Sequence, residues 1–437
     1  MKPSLRAIKI ASYTCIVMLV LGWITGSGLG FILMNAGMAI AMTIDYYLTK
    51  KQTQYEITRE TENTWQQHQC EPMRFCLVNR GGFPLIFSGV EALEANRISG
   101  DFSTFIGTVV PQGTLNCAYK LTPLRRGDHR LGSIMIRYES KFKLWDKTDV
   151  WSLPYHLKVY PNLSGLKQFS LQRLQNRRQL EALRVLRLKS TGRAFDSLRD
   201  YVAGDDYRGI NWMATARHGY PVVNTYQLEN NQKIYLMMDC GRAQRYLIDG
   251  VRQIDASIET AVLLSQRIAE SGDQFGMTAF DHRILTKLPC GRGRGWSKRL
   301  IESLYLLEPS LYQAHFGEAY LETMRNEHHR SIVMWFTDFD QKQEAERFLS
   351  QLSKGLRKHV HVVLMMARSD YQELAVAPFN EDAVYDKGVA IQLLEEREQI
   401  AAYLRAHGVF VSICSPRDLP TMALQNYLLA KARLQGD

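Results

Sequence analysis

The chain has 437 residues, length for about three structural units at roughly 150 residues each. Apolar residues make up 46% and charged residues 22%, with 13 prolines and 30 glycines, which excludes wholesale disorder and a low-complexity or collagen-like chain. The 54 Lys and Arg against 44 Asp and Glu leave a net charge of +10, which suits an acidic partner, an anionic membrane face or nucleic acid.

From Ile10 to Leu48 the chain is apolar almost throughout, with Asp45 as its only charged residue. One membrane-spanning helix needs roughly 20 apolar residues, so the run is long enough for two, predicted at about 8–25 and 29–48 around a turn at Gly26-Ser27-Gly28. Lys2, Arg6 and Lys9 precede the first helix, and Lys50 and Lys51 follow the second. Basic flanks face the cytoplasm, so the expectation is a multi-pass protein of the plasma (inner) membrane with both termini and its soluble domains cytoplasmic. A signal peptide fits less well, because no small-residue cleavage pattern ends the first segment and a second apolar segment follows at once. Asp45 is expected to be a water-facing residue at the helix end.

Residues 1–51 thus form a transmembrane hairpin, and 52–161 change to short alternating runs such as 73–78, 105–110 and 133–138. Punctuated by Asn79-Arg80-Gly81-Gly82 and Arg126-Gly127-Asp128, they predict a small β-sandwich. The Arg-Gly-Asp triplet is expected to be a hairpin turn and not an adhesion motif. Residues 162–232 form a basic linker, with eleven Lys or Arg against five Asp or Glu between 167 and 217. Its helical stretch is either a solvated face or a docking strip for anionic lipid or an acidic partner.

Over 233–437 apolar strands alternate with helices: strands at 233–240, 274–280, 283–288, 332–336, 360–366 and 409–413, with a helix at about 250–271 and a last helix ending near 432. Such alternation predicts a mostly parallel sheet covered on both faces. The two strands flanking Asp281-His282 are too close for a crossover and must form an antiparallel hairpin. One such hairpin at the edge of a parallel sheet is the arrangement of the von Willebrand factor A fold, a Rossmann-type α/β domain.

Between the modules lies the most distinctive stretch, from Arg199 to Gly219, with Arg199, Asp200, Tyr201, Gly204, Asp205, Arg208, Ile210, Trp212, Thr215, Ala216 and Arg217 in fixed spacing. It resembles the signature of the domain of unknown function 58 family. The Arg125-Arg126-Gly127 turn, the Tyr160-Pro161 exit and the Tyr427-to-Lys431 terminus also look like that family's. The resemblance implies a membrane-anchored protein with a β-rich module and a von Willebrand factor A-like module. It implies partnership with a MoxR-type AAA+ ATPase in assembling or activating other proteins, and it supplies no enzymatic activity.

Read as chemistry, the signature is a loop, a short helix and a strand, with Asp205 or Asp206 capping the helix and Gly219 ending it. Arg199, Arg208 and Arg217 face Asp200, Asp205 and Asp206 in number, and Trp212 supplies an apolar anchor. The segment is expected to serve first as a structural clasp between the modules and only secondarily as a surface that recognises a partner. Neither includes a nucleophile–base pair.

The von Willebrand factor A fold commonly holds Mg²⁺ through an Asp-x-Ser-x-Ser sequence after its first strand. Here Asp239 is followed by Gly241 and Ala243, and only Asp338 matches the later aspartate. Arg242 at roughly 6 Å would disfavour a dication by roughly 5 kcal/mol at an effective dielectric of about 20. No metal and no cofactor is therefore expected, and Arg242 is the candidate to replace the ion at Asp239 or Asp338. Gly291-Arg292-Gly293-Arg294-Gly295-Trp296 is a basic contact loop or an ordinary loop before a helix at Ser297, and lacks the ending of a P-loop. His328, His329, His359 and His361 are expected to be solvated loop or strand-end residues. The 7 cysteines are scattered without a C-x-x-C pair, against a disulfide framework or zinc ribbon and in keeping with reduced thiols. Cys240, Cys290 and Cys414 end strands and are expected near one another. No nucleic-acid motif accompanies the basic charge, so a nucleic-acid binder and a metal-dependent hydrolase are the secondary alternatives to a non-catalytic interaction protein.

Overall fold

The computed structural model describes all residues except 1, 26–28, 53, 61–63, 92–96, 101–104, 163–193, 203–206, 228–231, 354, 377–383 and 437. The helical stretch of the basic linker (within 163–193), the Gly26-Ser27-Gly28 turn, and Gly204 and Asp205 of the signature lie outside the described residues. The chain divides into two compact units, Met1–Tyr160 and Pro161–Asp437.

The first unit opens with a two-residue strand, β1 (Lys2–Pro3), then helices α1 (Leu5–Thr25) and α2 (Leu29–Gln52). Leu29–Lys50 is long and apolar enough to cross a membrane. The strands that follow are β2 (Tyr55–Arg59), β3 (Thr64–Gln66), β4 (Glu71–Asn79), β5 (Leu85–Glu91), β6 (Ile98–Gly100), β7 (Phe105–Val109), β8 (Thr114–Pro123), β9 (Gly127–Glu139) and β10 (Trp145–Tyr160). They make one sheet in the order β1-β10-β9-β5-β7, with β3 beside β10, and a second in the order β2-β4-β8-β6. Period-two alternation puts Phe75 and Leu77 of one sheet against Phe87, Ile134 and Ile136 of the other in a common core, the physical content of a sandwich. The Arg126-Gly127-Asp128 triplet is not the expected hairpin turn: the bend falls at Leu124 and Arg125, Gly127 (φ 117°) and Asp128 open β9 opposite Val159 and Lys158, and β8 and β9 lie in different sheets.

Asp45 departs from the expectation. It is 0% exposed, buried against the turn between β9 and β10 and not facing water. Its carboxylate accepts hydrogen bonds from Ser140 Oγ (2.5 Å), Phe142 N (3.1 Å) and Leu144 N (3.3 Å). Donors contributed by a turn about 95 residues away could not be seen in a local reading of the helix end.

The second unit begins with β11 (Ala194–Asp200) and β12 (Val222–Gln227), an antiparallel pair with helix α3 (Trp212–His218) between them. The main sheet contains β13 (Lys233–Asp239), β16 (Gln274–Phe280), β17 (Ile284–Gly291), β18 (Ile332–Phe336), β19 (Val360–Met366) and β20 (Phe410–Cys414), numbered after the short pair β14 (Leu247–Ile248) and β15 (Val251–Arg252). Its order is β17-β16-β13-β18-β19-β20, parallel except for the antiparallel edge pair β16–β17. The helices are α4 (Gln253–Glu270), α5 (Arg294–Leu304), α6 (Phe316–Met324), α7 (Lys342–Leu352), α8 (Ser369–Val376), α9 (Val384–Ala406) and α10 (Leu419–Gly436). Alternate residues of β13 feed two cores: Ile234, Leu236 and Met238 meet α4, α5 and α10, while Met237 joins Val333, Trp335 and the α6, α7 and α9 side. Burial on both faces explains why these strands read as unbroken apolar runs.

One bond network explains the Tyr427-to-Lys431 terminus. Asp273, in the turn before β16, accepts from Tyr427 Oη (2.5 Å) and Lys431 Nζ (2.5 Å), so α10 is tied to the sheet through a buried carboxylate.

Candidate functional site

The C-terminal edge of the parallel strands brings together residues from five elements. Asp239 ends β13, and Thr337 and Asp338 follow β18; all three are buried. Asp239 Oδ1 accepts the Gly241 N–H (2.7 Å), and its Oδ2 accepts Thr337 Oγ1 (2.6 Å). Asp338 Oδ1 accepts from Arg397 Nη2 of α9 (2.6 Å) and Phe339 N (3.1 Å), while Oδ2 accepts from Gln253 Nε2 of α4 (3.1 Å). Arg368, buried after β19, lies with Nε 3.9 Å from Asp338 Oδ2 and its guanidinium 3.8 Å from the Tyr246 ring centre. Burial raises the Asp239 carboxyl to about 6, with the charges of Asp338 and Glu344 adding to the rise and the Thr337 and Gly241 bonds opposing it. Burial likewise pushes Asp338 upward, and Arg397 and Arg368 hold it down against that.

Magnesium does not fit this arrangement. The carboxylate oxygens that would be ligands already accept bonds from a backbone amide, a hydroxyl, an amide side chain and a guanidinium. The hydroxyl positions are Gly241 and Ala243. A Cβ at Gly241 would lie 3.0 Å from Asp239 Oδ1 and 3.1 Å from both Ala314 N and Tyr312 O, so even a serine there needs the backbone to move. The expected stand-in was the wrong arginine. Arg242 is half exposed and pairs with Glu344 (3.0 Å), whereas Arg397 and Arg368 reach Asp338. These two lie 59 and 30 positions downstream of Asp338, on α9 and after β19, so only the folded sheet reveals their role. Thr337, adjacent to Asp338 in sequence, was likewise missed as the partner of Asp239. The hydroxyl–carboxylate pair is closed off from solvent.

The signature segment is built differently. Asn211, and not Asp205 or Asp206, caps α3, its side chain accepting the Ala214 N–H at 3.0 Å. Gly219 ends the helix as expected, at φ 78° with its N–H on Thr215 O. Trp212 opens α3 and is 69% exposed, so the expected apolar anchor of a clasp is instead a surface side chain. Met213 is 73% exposed, and Tyr201, Val202, Tyr207 and Tyr220 are also exposed. Arg199, on β11, and Arg217, in the last turn of α3, are exposed; Arg199 Nη1 reaches Asp200 O at 3.4 Å. Arg208 lies in the 3₁₀ turn Tyr207–Gly209, and its side chain is outside the described residues.

The smaller candidates resolve as structure. Helix α5 begins at Arg294, three residues before the expected Ser297, so the Gly-Arg stretch is half helix; Trp296 Nε1 donates to Phe275 O (3.0 Å) and Pro289 O (3.1 Å). His359 and His361 are buried, not solvated, and accept from Ser331 N (3.2 Å) and Trp335 Nε1 (3.1 Å). Burial pushes their imidazoles down to about 4 and about 3. The three strand-end cysteines are apart: β18 and β19 separate the strands that Cys240 and Cys414 follow or end, and Cys290 lies at the opposite end of the sheet from Cys240. Burial raises the Cys290 and Cys414 thiols to about 12, the reverse of an activated thiolate. Among the described residues no group of three or more His, Cys, Asp or Glu is placed to hold a metal.

Fold and site together define a multi-domain protein whose α/β unit has a closed, arginine-filled sheet edge and a separate exposed signature. Residues 197–379 match the model of the family described as "Protein of unknown function DUF58". The chain is 26% identical over 154 residues to the uncharacterized protein YeaD of Bacillus subtilis (strain 168), an alignment covering 34% of this chain and 37% of that protein. The chain thus matches little more than a third of that relative's length. Solved structures with some likeness include proximal thread matrix protein 1 from the mussel byssus, at 14% identity, 47% of each chain and TM-score 0.28. Another is the ASH / PapD-like domain of human CEP192, at 13% identity, 25% of this chain, 84% of that one and TM-score 0.17. Likeness at this level carries no weight for the fold.

Proposed function

We propose that this protein is a non-catalytic, membrane-anchored interaction protein that presents its signature segment to a partner, a MoxR-type AAA+ ATPase, at the cytoplasmic face. The observation that carries this reading is the exposure of Trp212 and Met213, with Tyr201, Val202 and Tyr207 of the same segment also exposed. Large aromatic and Met side chains left outside the core are the residue types that anchor protein interfaces. The closed sheet edge supports the non-catalytic part, since its carboxylates are already paired and buried. The von Willebrand factor A assignment of the α/β unit, and the pairing of α1 with α2 as a two-helix membrane anchor, belong to this proposal. The basic excess is then a feature of the cytoplasmic membrane face, in place of nucleic-acid binding.

The test is binding of the purified ATPase to the full chain in detergent, for the parent and for Trp212→Ala. A hot-spot side chain costs roughly 2 kcal/mol or more on truncation, so affinity should fall about 30-fold while melting stays unchanged. Equal affinity of parent and variant would remove the signature from the interface. Protease added to intact cells should leave the soluble units uncut, and efficient digestion from outside would overturn the topology.

A further inference from the structure

We propose that the turn at 140–145, between β9 and β10, is a lipid-contacting foot of the first unit, seated in the headgroup layer of an anionic bilayer with Phe142 at its tip. This rests on the membrane reading of α2. Three groups of contacts tie the turn to the ends of both N-terminal helices. Asp45 of α2 gathers Ser140, Phe142 and Leu144, as described above. Trp145 Nε1 donates to Met42 O (2.9 Å), one turn further into α2. At the start of α1, Ser4 N donates to Leu144 O (2.8 Å) and Ser4 Oγ donates to Lys143 O (2.6 Å), while β1 pairs with Trp145 and Asp146.

Helix geometry sets the depth. A hydrocarbon layer of roughly 30 Å takes about 20 helical residues at 1.5 Å each, so a span starting at Leu29 leaves it near residue 48. Asp45 then lies about 5 Å inside that boundary and Met42 about 9 Å inside it. A carboxylate there cannot be left against lipid tails, and the groups that cover it are those of the turn. The hydrogen bonds therefore carry the turn to the same level, where hydrocarbon meets headgroups.

The exposed residues at that level have the chemistry of the layer. Phe142 is 56% exposed at the tip, Tyr47 is exposed on α2, and Tyr46 packs edge-on to Trp145 with ring centres 6.2 Å apart. Aromatic side chains of this kind collect at membrane–water boundaries. Lys141, exposed, holds its Nζ 5.9 Å from the Phe142 ring centre, and exposed Arg6 and Lys9 near the start of α1 and Lys50 near the end of α2 add basic charge complementary to lipid phosphates. The first unit would thus be held at a fixed attitude to the membrane, and not hung from it by a linker.

The experiment uses the full chain reconstituted in phosphatidylglycerol–phosphatidylcholine vesicles and in phosphatidylcholine vesicles. A photo-crosslinking residue is placed at the tip (Phe142→p-benzoylphenylalanine), in the span (Ile40→p-benzoylphenylalanine) and at an exposed bend before the opposite end of β9 (Arg125→p-benzoylphenylalanine). Lipid adducts are expected at 40 and 142 and not at 125, with the 142 adduct stronger in the anionic vesicles. Adding Lys141→Glu should lower the 142 adduct about fivefold, the equivalent of roughly 1 kcal/mol for one surface lysine. Adducts at 40 without any at 142 would overturn the foot and leave the membrane reading standing. Adducts at neither position would overturn both, and equal adducts at 142 and 125 would overturn the specific contact.

Discussion

The signature segment and the C-terminal edge of the α/β sheet both concentrate arginines and acidic residues around aromatic side chains, yet they end in opposite environments. At the sheet edge Asp338 is enclosed by Arg397, Arg368 and Gln253, and Tyr246 stacks on Arg368. In the signature Trp212, Met213, Arg199 and Arg217 are exposed, and α3 has no buried residue at all. The difference lies in what surrounds the charges. Strands buried on both faces leave the carboxylates at their ends no water, so each must be paired within the protein. Among the described residues nothing buries the seven-residue helix between the two strands of its small hairpin. A charge-rich motif is therefore not evidence of a clasp until its burial is known.

The largest effect that would break this contrast is expected at the sheet edge. Arg397→Ala leaves Asp338 buried beside a vacated partner, and should cost roughly 3–5 kcal/mol. Thermal melting of the detergent-solubilised chain would show it as a large drop, and a melting point near the parent's would mean that the edge is solvated after all. Asp45→Ala leaves the donors of the 140–145 turn without their acceptor and should cost about 3 kcal/mol. Limited proteolysis should then cut within the turn well before the parent is cut there; identical cleavage would mean that Asp45 does not hold it.

A third test sharpens the contrast through pH. His361 is held neutral in the fold, at about 3 against 6.5 for the free side chain, because burial first and the neighbouring His359 second disfavour its charge. Stability from its neutral state is complete above pH 6.5 and is lost as pH falls from there toward 3, since the unfolded chain takes up a proton that the folded chain refuses. Asp239, raised to about 6, works in the opposite sense, so the measurement must be a difference between parent and variant. Between pH 7 and pH 5 the parent should lose about 2 kcal/mol more than His361→Gln. Parallel pH profiles would show that the imidazole is hydrated.

The smallest expected effect is in the signature. Trp212→Ala and Arg217→Ala should each change stability by less than about 0.5 kcal/mol, because both side chains are exposed. Destabilisation as large as that of Arg397→Ala would restore the clasp and remove the recognition surface.

Periodicity was enough to place most elements from the amino-acid order alone. The buried strands of the α/β sheet, the antiparallel β16–β17 pair, the alternating strands of the first unit and the helix over Leu29–Lys50 all follow from local pattern and length. Gly219 could be read as a helix end because its role depends only on its own backbone conformation. What the order of residues could not decide was which distant groups meet. The pairing of Asp338 with Arg397, of Asp45 with the 140–145 turn and of Asp273 with Tyr427 and Lys431 spans tens of residues or more, and depends on strand order and helix docking. Burial was decided at the same level. Trp212 and Trp335 are the same residue type, one exposed on a lone short helix and the other closed between a sheet and three helices, because only the assembled layers determine where water is excluded.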